Sequence, residues 1–173
     1  MTRPIYLIHS TIVLLGISAL VLIVGQARAQ STTTISIPAL DIETVVVQAP
    51  LTPDYTTWDV SQLFMNVGHL VGTSWFGQGS NIVLGGHSLT PEFAPDIFYN
   101  LHALQVGDLI VVETDGIVRQ YTVNALHSVD QFDVRVVLPT PHEQLTLITC
   151  QRGTYNSQSG QYQNRLVVVA VPI

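Results

Sequence analysis

The chain contains no lysine, a single cysteine, and charged residues at only 10% of its 173 positions. Without lysine there is no Ser-Lys dyad, no Schiff-base amine and no isopeptide bond through a side-chain amine of the chain itself. All six cations are arginines set against twelve acids, for a net charge of -6. Arg119, Arg135, Arg152 and Arg165 are scattered along the sequence. A phosphate backbone is held by clustered cations, so nucleic acid is excluded as a partner. One cysteine forms no internal disulfide, which leaves Cys150 as a small buried hydrophobe, as most free cysteines are, or as a nucleophile. Low charge with 47% hydrophobic residues is the opposite of a disordered composition. The length suits one domain with a full core.

One long apolar run is present. Ile5 to Val24 is interrupted only by His9, Ser10, Thr11 and Ser18, with Arg3 ahead of it. It just reaches the ~20 residues of a spanning helix. Ala27-Arg28-Ala29 before Gln30 has the small-x-small form of a signal peptidase site, and Thr11 to Val24 is nearer a signal-peptide core. Both readings predict export. Length favours a retained anchor over secretion after cleavage, and Arg3 puts the N-terminus in the cytoplasm and the domain outside. The expected organisation is a signal or anchor transmembrane segment over 1–29, a polar linker over 30–34 and one domain over 35–173.

Within that domain the apolar spacing is mostly period two. Ile35 and Ile37, then Leu40, Ile42, Val45 and Val47, predict two short strands around Pro38 and Asp41. The stretch from Trp58 to Gly79 lacks a helical stripe and reads as a short helical turn or an irregular crossing. Asn81 to Gly86 is a strand, and Ile97 to Leu104 one or two helical turns. Asp115-Gly116 joins Leu109–Glu113 to Ile117–Val129 with a hairpin signal. Gln144–Thr149 and Arg165–Val171 are the last strands, separated by a polar loop. Roughly seven or eight short strands with almost no helix predict an all-β barrel or sandwich.

Cys150 ends the strand Leu145-Thr146-Leu147-Ile148-Thr149, and a thiol at a strand tip needs a nearby cation or base to act as thiolate. Five histidines lie outside the leader. His102 and His127 sit in apolar runs and read as structural, while His69 and His142 lie in polar or irregular stretches. His87 alone closes a β-run, after two glycines that let a ligand or backbone approach closely. Arg165 opens the last strand, either as an edge charge that deters strand pairing or as a fork beside a developing oxyanion.

Asn81-Ile82-Val83-Leu84-Gly85-Gly86-His87, Ile97-Phe98-Tyr99-Asn100-Leu101 with Gly107-Asp108, Thr146-Leu147-Ile148-Thr149-Cys150, and Arg165-Leu166-Val167-Val168-Val169 together resemble the sortase family of cell-surface cysteine transpeptidases. The resemblance spans nearly everything after the linker. It implies an eight-stranded sortase barrel with Cys150 as nucleophile, His87 as general acid and base, and Arg165 steadying the oxyanion. Thr149 is carried over as an oxyanion or substrate contact. The expected partners are exported proteins bearing an LPxTG-like sorting motif near the C-terminus and an amine acceptor such as cell-wall peptide. Cys150 and His87 are expected to rest mostly as a neutral pair.

The chain departs from the family pattern at Gly85, where alanine is common, and at Ser88, where a larger or basic residue is common. It has no Asp-Pro-aromatic lid segment between Gln30 and Trp58 and no C-terminal membrane helix, which points to a smaller attaching or housekeeping type resembling classes D or E. No cofactor is assigned: some sortases bind calcium, and Glu92, Asp96, Glu113 and Asp115 are candidates by charge only, read instead as solvated surface. Two other thiol enzymes fit less well. An L,D-transpeptidase needs Ser-x-Gly-Cys where this chain has Ile148-Thr149-Cys150, and a papain-like enzyme places cysteine before histidine. The remaining alternative is a catalytically inactive exported β-barrel that serves as a binding or adhesion module.

Overall fold

Alternation of apolar and polar side chains builds the first strands of the computed structural model, which describes residues 32–173. Strand β1 (Thr34–Ile37) turns Ile35 and Ile37 inward, and β2 (Ile42–Ala49) follows after a single 3-10 turn over Pro38–Leu40. Next come β3 (Val67–Leu70), β4 (Asn81–Gly85), β5 (Leu109–Thr114), β6 (Ile117–Asp130), β7 (Gln144–Cys150), the two-residue strands β8 (Tyr155–Asn156) and β9 (Gln161–Tyr162), and β10 (Asn164–Pro172). Eight of them close into a barrel in the order β1-β2-β3-β4-β7-β10-β6-β5, with β1 hydrogen-bonded to β5. Asp115 and Gly116 both adopt left-handed backbone conformations between β5 and β6, as a two-residue hairpin turn requires.

The barrel interior is filled from every strand. Ile35, Ile82, Leu84, Leu145, Leu147 and Val168 are fully buried there, with Phe98 and Leu101 entering from the β4–β5 connection. Each such side chain contributes about 1.5–3 kcal/mol of burial. Strand β4 is buried along its whole length, because Val83 faces outward into a second cluster with Ala49 and Leu70. Trp58, Val137 and Ile148 pack on that outer cluster, so this side of the barrel is covered.

Two elements differ from the sequence reading. The Trp58–Gly79 stretch contains β3, which pairs in parallel with β2 and antiparallel with β4. Four residues with a glycine and a histidine carry no periodic signal. A Cβ at Gly68 would fall 2.7 Å from the methyls of Leu63, which would have to shift. The polar loop after Cys150 holds the small β8–β9 hairpin. The segment after Asp133 coils into a 3-10 turn, Val134–Val137, capped by the Asp133 carboxylate on the Arg135 N–H. The expected leader, 1–29, lies outside the described residues; among those described, no helix is long and apolar enough to cross a membrane.

Candidate active site

Two ladders converge on the end of β7. Strand β10 runs antiparallel to β7 with Arg165 directly opposite Cys150 and Leu166 opposite Thr149. Strand β4 runs parallel to β7 with Gly85 opposite Ile148, and the Gly86 N–H extends that ladder by donating to the Ile148 carbonyl at 3.2 Å. His87 therefore leaves β4 at the same end of the barrel at which Cys150 leaves β7. The His87 carbonyl accepts from the Phe98 N–H at 2.9 Å, which ties the following loop to this rim. Gly86 has a steric reason as well: a Cβ there would lie 2.6 Å from the Phe98 ring and 2.9 Å from Ile97.

The three expected residues share one cavity of about 260 Å³, with Thr149 also in its wall. Its remaining walls are mostly apolar: Trp58, Val60, Leu70, Val134, Val136 and Val137. Burial pushes the Cys150 thiol pKa above its ordinary value, and the Arg165 charge pulls it the other way. Arg165 is held by one nitrogen, Nη1 donating to the carbonyls of Tyr162 at 3.0 Å and Asn164 at 3.3 Å. Its other N–H groups make no hydrogen bond among the described residues. Nε2 of His87 lies 2.8 Å from the Val60 carbonyl, which can only accept, so that nitrogen carries the proton and Nδ1 is the basic one in the neutral ring. The Thr149 hydroxyl is buried without a hydrogen-bond partner among the described residues.

The sortase domain family matches residues 35–173. The chain belongs to the sortase family. Among solved structures it is similar to sortase A from Corynebacterium diphtheriae in a lid mutant, at 29% identity over 84% of this chain and 73% of that one, with a TM-score of 0.65. It is also similar to the sortase D5 transpeptidase of Clostridium perfringens, at 26% identity over 83% and 79% with a TM-score of 0.63. Sortase C-1 from Actinomyces oris matches at 28% identity over 82% and 73%, with a TM-score of 0.64. No curated protein matches the chain. The closed eight-stranded barrel is the sortase fold, and this sortase is a cysteine transpeptidase enzyme acting on sorting-motif substrates with amine acceptors.

The other residues named from sequence fall elsewhere in the sortase barrel. His102, His127 and His142 are exposed, so burial gives the first two no structural part. That part belongs to His69, which is buried on β3 with Nε2 2.9 Å from the Ser74 carbonyl and Nδ1 3.2 Å from Gln48 Oε1. Burial lowers its pKa. Asp96 is not a solvated acid but a buried tether: its Oδ1 accepts from the backbone N–H groups of Met65 at 2.8 Å and Ile97 at 2.6 Å. Glu92, Glu113 and Asp115 are exposed. No group of three or more His, Cys, Asp or Glu among the described residues is placed to hold a metal ion.

Two contributors had not been picked out. Asn81, buried at the start of β4, donates through Nδ2 to the carbonyls of Val136 and Leu138, both at 3.0 Å, while its Oδ1 accepts from the Thr146 hydroxyl at 2.7 Å. It thereby fastens the turn that supplies Val136 and Val137 to the cavity wall. A polar residue opening an otherwise apolar buried strand was the available signal. The Val60 carbonyl that orients His87 is a backbone group, and no residue type announces it.

Proposed function

We infer that this sortase cleaves an LPxTG-like sorting motif of exported proteins and transfers the new carboxyl end to an amine acceptor, through a thioester on Cys150. The observation that carries the reading is the register of β7 and β10, which sets Arg165 opposite Cys150 in a cavity that His87 also lines. The Cys150 proton passes to His87 Nδ1, and the thiolate attacks the threonine carbonyl of the motif. Negative charge develops on the carbonyl oxygen, where the open N–H groups of the Arg165 fork stabilise it more strongly than they do the ground state. Collapse breaks the peptide C–N bond as the His87 imidazolium protonates the departing amine. The Thr149 hydroxyl is a further contact for this oxygen or for the motif's threonine. The mostly apolar walls of the cavity suit the leucine and proline of the motif.

The same chemistry with water as acceptor makes the enzyme a thiol endopeptidase. Exported function is supported by the apolar run from Ile5 to Val24, which reads as an anchor holding the domain outside the cell membrane. The missing Asp-Pro-aromatic segment supports an attaching type resembling classes D or E. Incubating the full-length chain with a panel of LPxTG-type peptides tests the reading: intact-mass spectrometry is expected to show an acyl adduct on Cys150, absent in Cys150→Ala while the barrel still folds. No adduct and no cleavage across the panel overturns it.

A further inference from the structure

Cys150 is reached from a second side. Besides the cavity that holds His87 and Arg165, a separate one of about 230 Å³ opens on Thr149 and Cys150 and is lined by Ser88, Tyr99, His102, Arg152 and Leu166. The two cavities share only Thr149 and Cys150. A transpeptidase needs such an arrangement, because the acyl chain occupies its own groove while the thioester waits, and the incoming amine must approach the carbonyl by another path.

The chemistry of the second cavity is specific. The Arg152 guanidinium stacks on the Tyr99 ring, its Cζ 3.8 Å from the ring centroid, and its Nη2 lies 3.3 Å from the ring nitrogens of His102. A stacked guanidinium keeps its in-plane N–H edge available for a planar anion. The contacts the structure records for Arg152 among the described residues are the Tyr99 ring and His102, with no carboxylate among them. The buried Ser88 makes no side-chain hydrogen bond among the described residues and adds a hydroxyl to the same wall. This is a cation held in place beside the reactive sulfur, in a protein of net charge -6.

We propose that the Ser88–Tyr99–His102–Arg152 cavity is the acceptor site, and that it selects amines carrying a carboxylate, which Arg152 binds while the amine is aimed at the Cys150 thioester. The inference rests on the thioester reading above. In the step itself the amine nitrogen forms the new C–N bond, the C–S bond breaks, and the proton lost by the amine ends on Cys150 as the thiol is restored. The small side chain of Ser88 leaves room in this cavity for the acceptor.

The test uses the full-length chain, a sorting-motif peptide that acylates it, and two matched acceptors, the dipeptide Gly-Gly and its C-terminal amide. These present the same amine with and without a carboxylate. The ratio of their transfer products is read by mass spectrometry. The expected wild-type ratio is about tenfold in favour of the free carboxylate, falling to about one in Arg152→Gln and lying between in Arg152→Lys. A wild-type ratio near one, or a preference that survives in Arg152→Gln, overturns the acceptor site while leaving the thioester reading intact. Failure of any peptide to acylate the wild-type enzyme instead overturns the thioester reading and the acceptor site with it. The wild-type ratio needs no variant, so misfolding of a substituted protein does not shield the idea.

Discussion

Gly86→Ala is the most informative single perturbation, because one methyl group reaches both the core and the chemistry. The added Cβ would stand 2.6 Å from Cδ2 of Phe98, and the gap must open by about 0.8 Å to restore the 3.4 Å of ordinary van der Waals contact. Phe98 is only 1% exposed and belongs to the main core, so its ring has little room to retreat. Overpacking of this kind costs about 1–3 kcal/mol. What the core does not yield, the Gly86 backbone must, and His87 moves with it. A displacement approaching 1 Å at a general acid-base costs on the order of 10²-fold in rate. The expected result is a fall in kcat for peptide cleavage of about 10- to 100-fold, with KM changed less and urea unfolding showing the stability loss. Phe98→Leu on top of Gly86→Ala opens space where the methyl collides and should recover part of kcat, although Phe98→Leu alone destabilises. A Gly86→Ala enzyme with wild-type kcat, or a double variant no better than the single one, refutes the steric link between the core and His87.

Other expectations concern the remaining site groups. Arg165→Lys should slow acylation about tenfold or more in stopped-flow or quench measurements, since a point charge does not reproduce the guanidinium fork; unchanged acylation would make Arg165 a simple edge charge. Burial disfavours the Cys150 thiolate, so alkylation of the resting enzyme should rise with pH through a midpoint above the ordinary thiol range. Arg165→Met should push that midpoint higher still, because the charge opposing the shift is gone; a midpoint at or below an ordinary thiol contradicts this. Asn81→Ala removes two hydrogen bonds to the Val134–Val137 region and leaves the Thr146 hydroxyl without its acceptor, at about 2–3 kcal/mol. Its KM for the sorting peptide should rise as the wall loosens, and an unchanged KM would show that Asn81 does not shape the cavity.

Much of this barrel is legible in the sequence, and what is hidden is hidden for particular physical reasons. Strands β1, β4, β7 and β10 and the β5–β6 hairpin carry their own signal in alternation, apolar runs and Asp115-Gly116. Strand β3 does not, since Val67-Gly68-His69-Leu70 becomes a strand only by lying between β2 and β4. The burial of the histidines is hidden in the sequence for a related reason. Apolar neighbours on an alternating strand say nothing about the opposite face, and His127 on β6 points outward from just such a run. His69 lay in a polar stretch because its Thr73, Ser74 and Gln48 partners are what make its burial affordable. At the site, Cys150, His87 and Arg165 were visible through side-chain identity and order. The Val60 carbonyl and the second cavity were not, because backbone acceptors and enclosed space have no residue code.

The parallel pairing of β4 with β7 also bears on when the thiol becomes dangerous. Asn81 pairs with Gln144 and Leu84 with Leu147, contacts more than sixty residues apart in the chain, and such non-local ladders form late and slowly. Until they do, Cys150 has no neighbouring histidine, because the β7–β10 ladder by itself brings it only to Arg165. With no second cysteine to pair with by mistake, the chain folds free of internal disulfide errors, and the thiol meets its histidine only when the barrel closes.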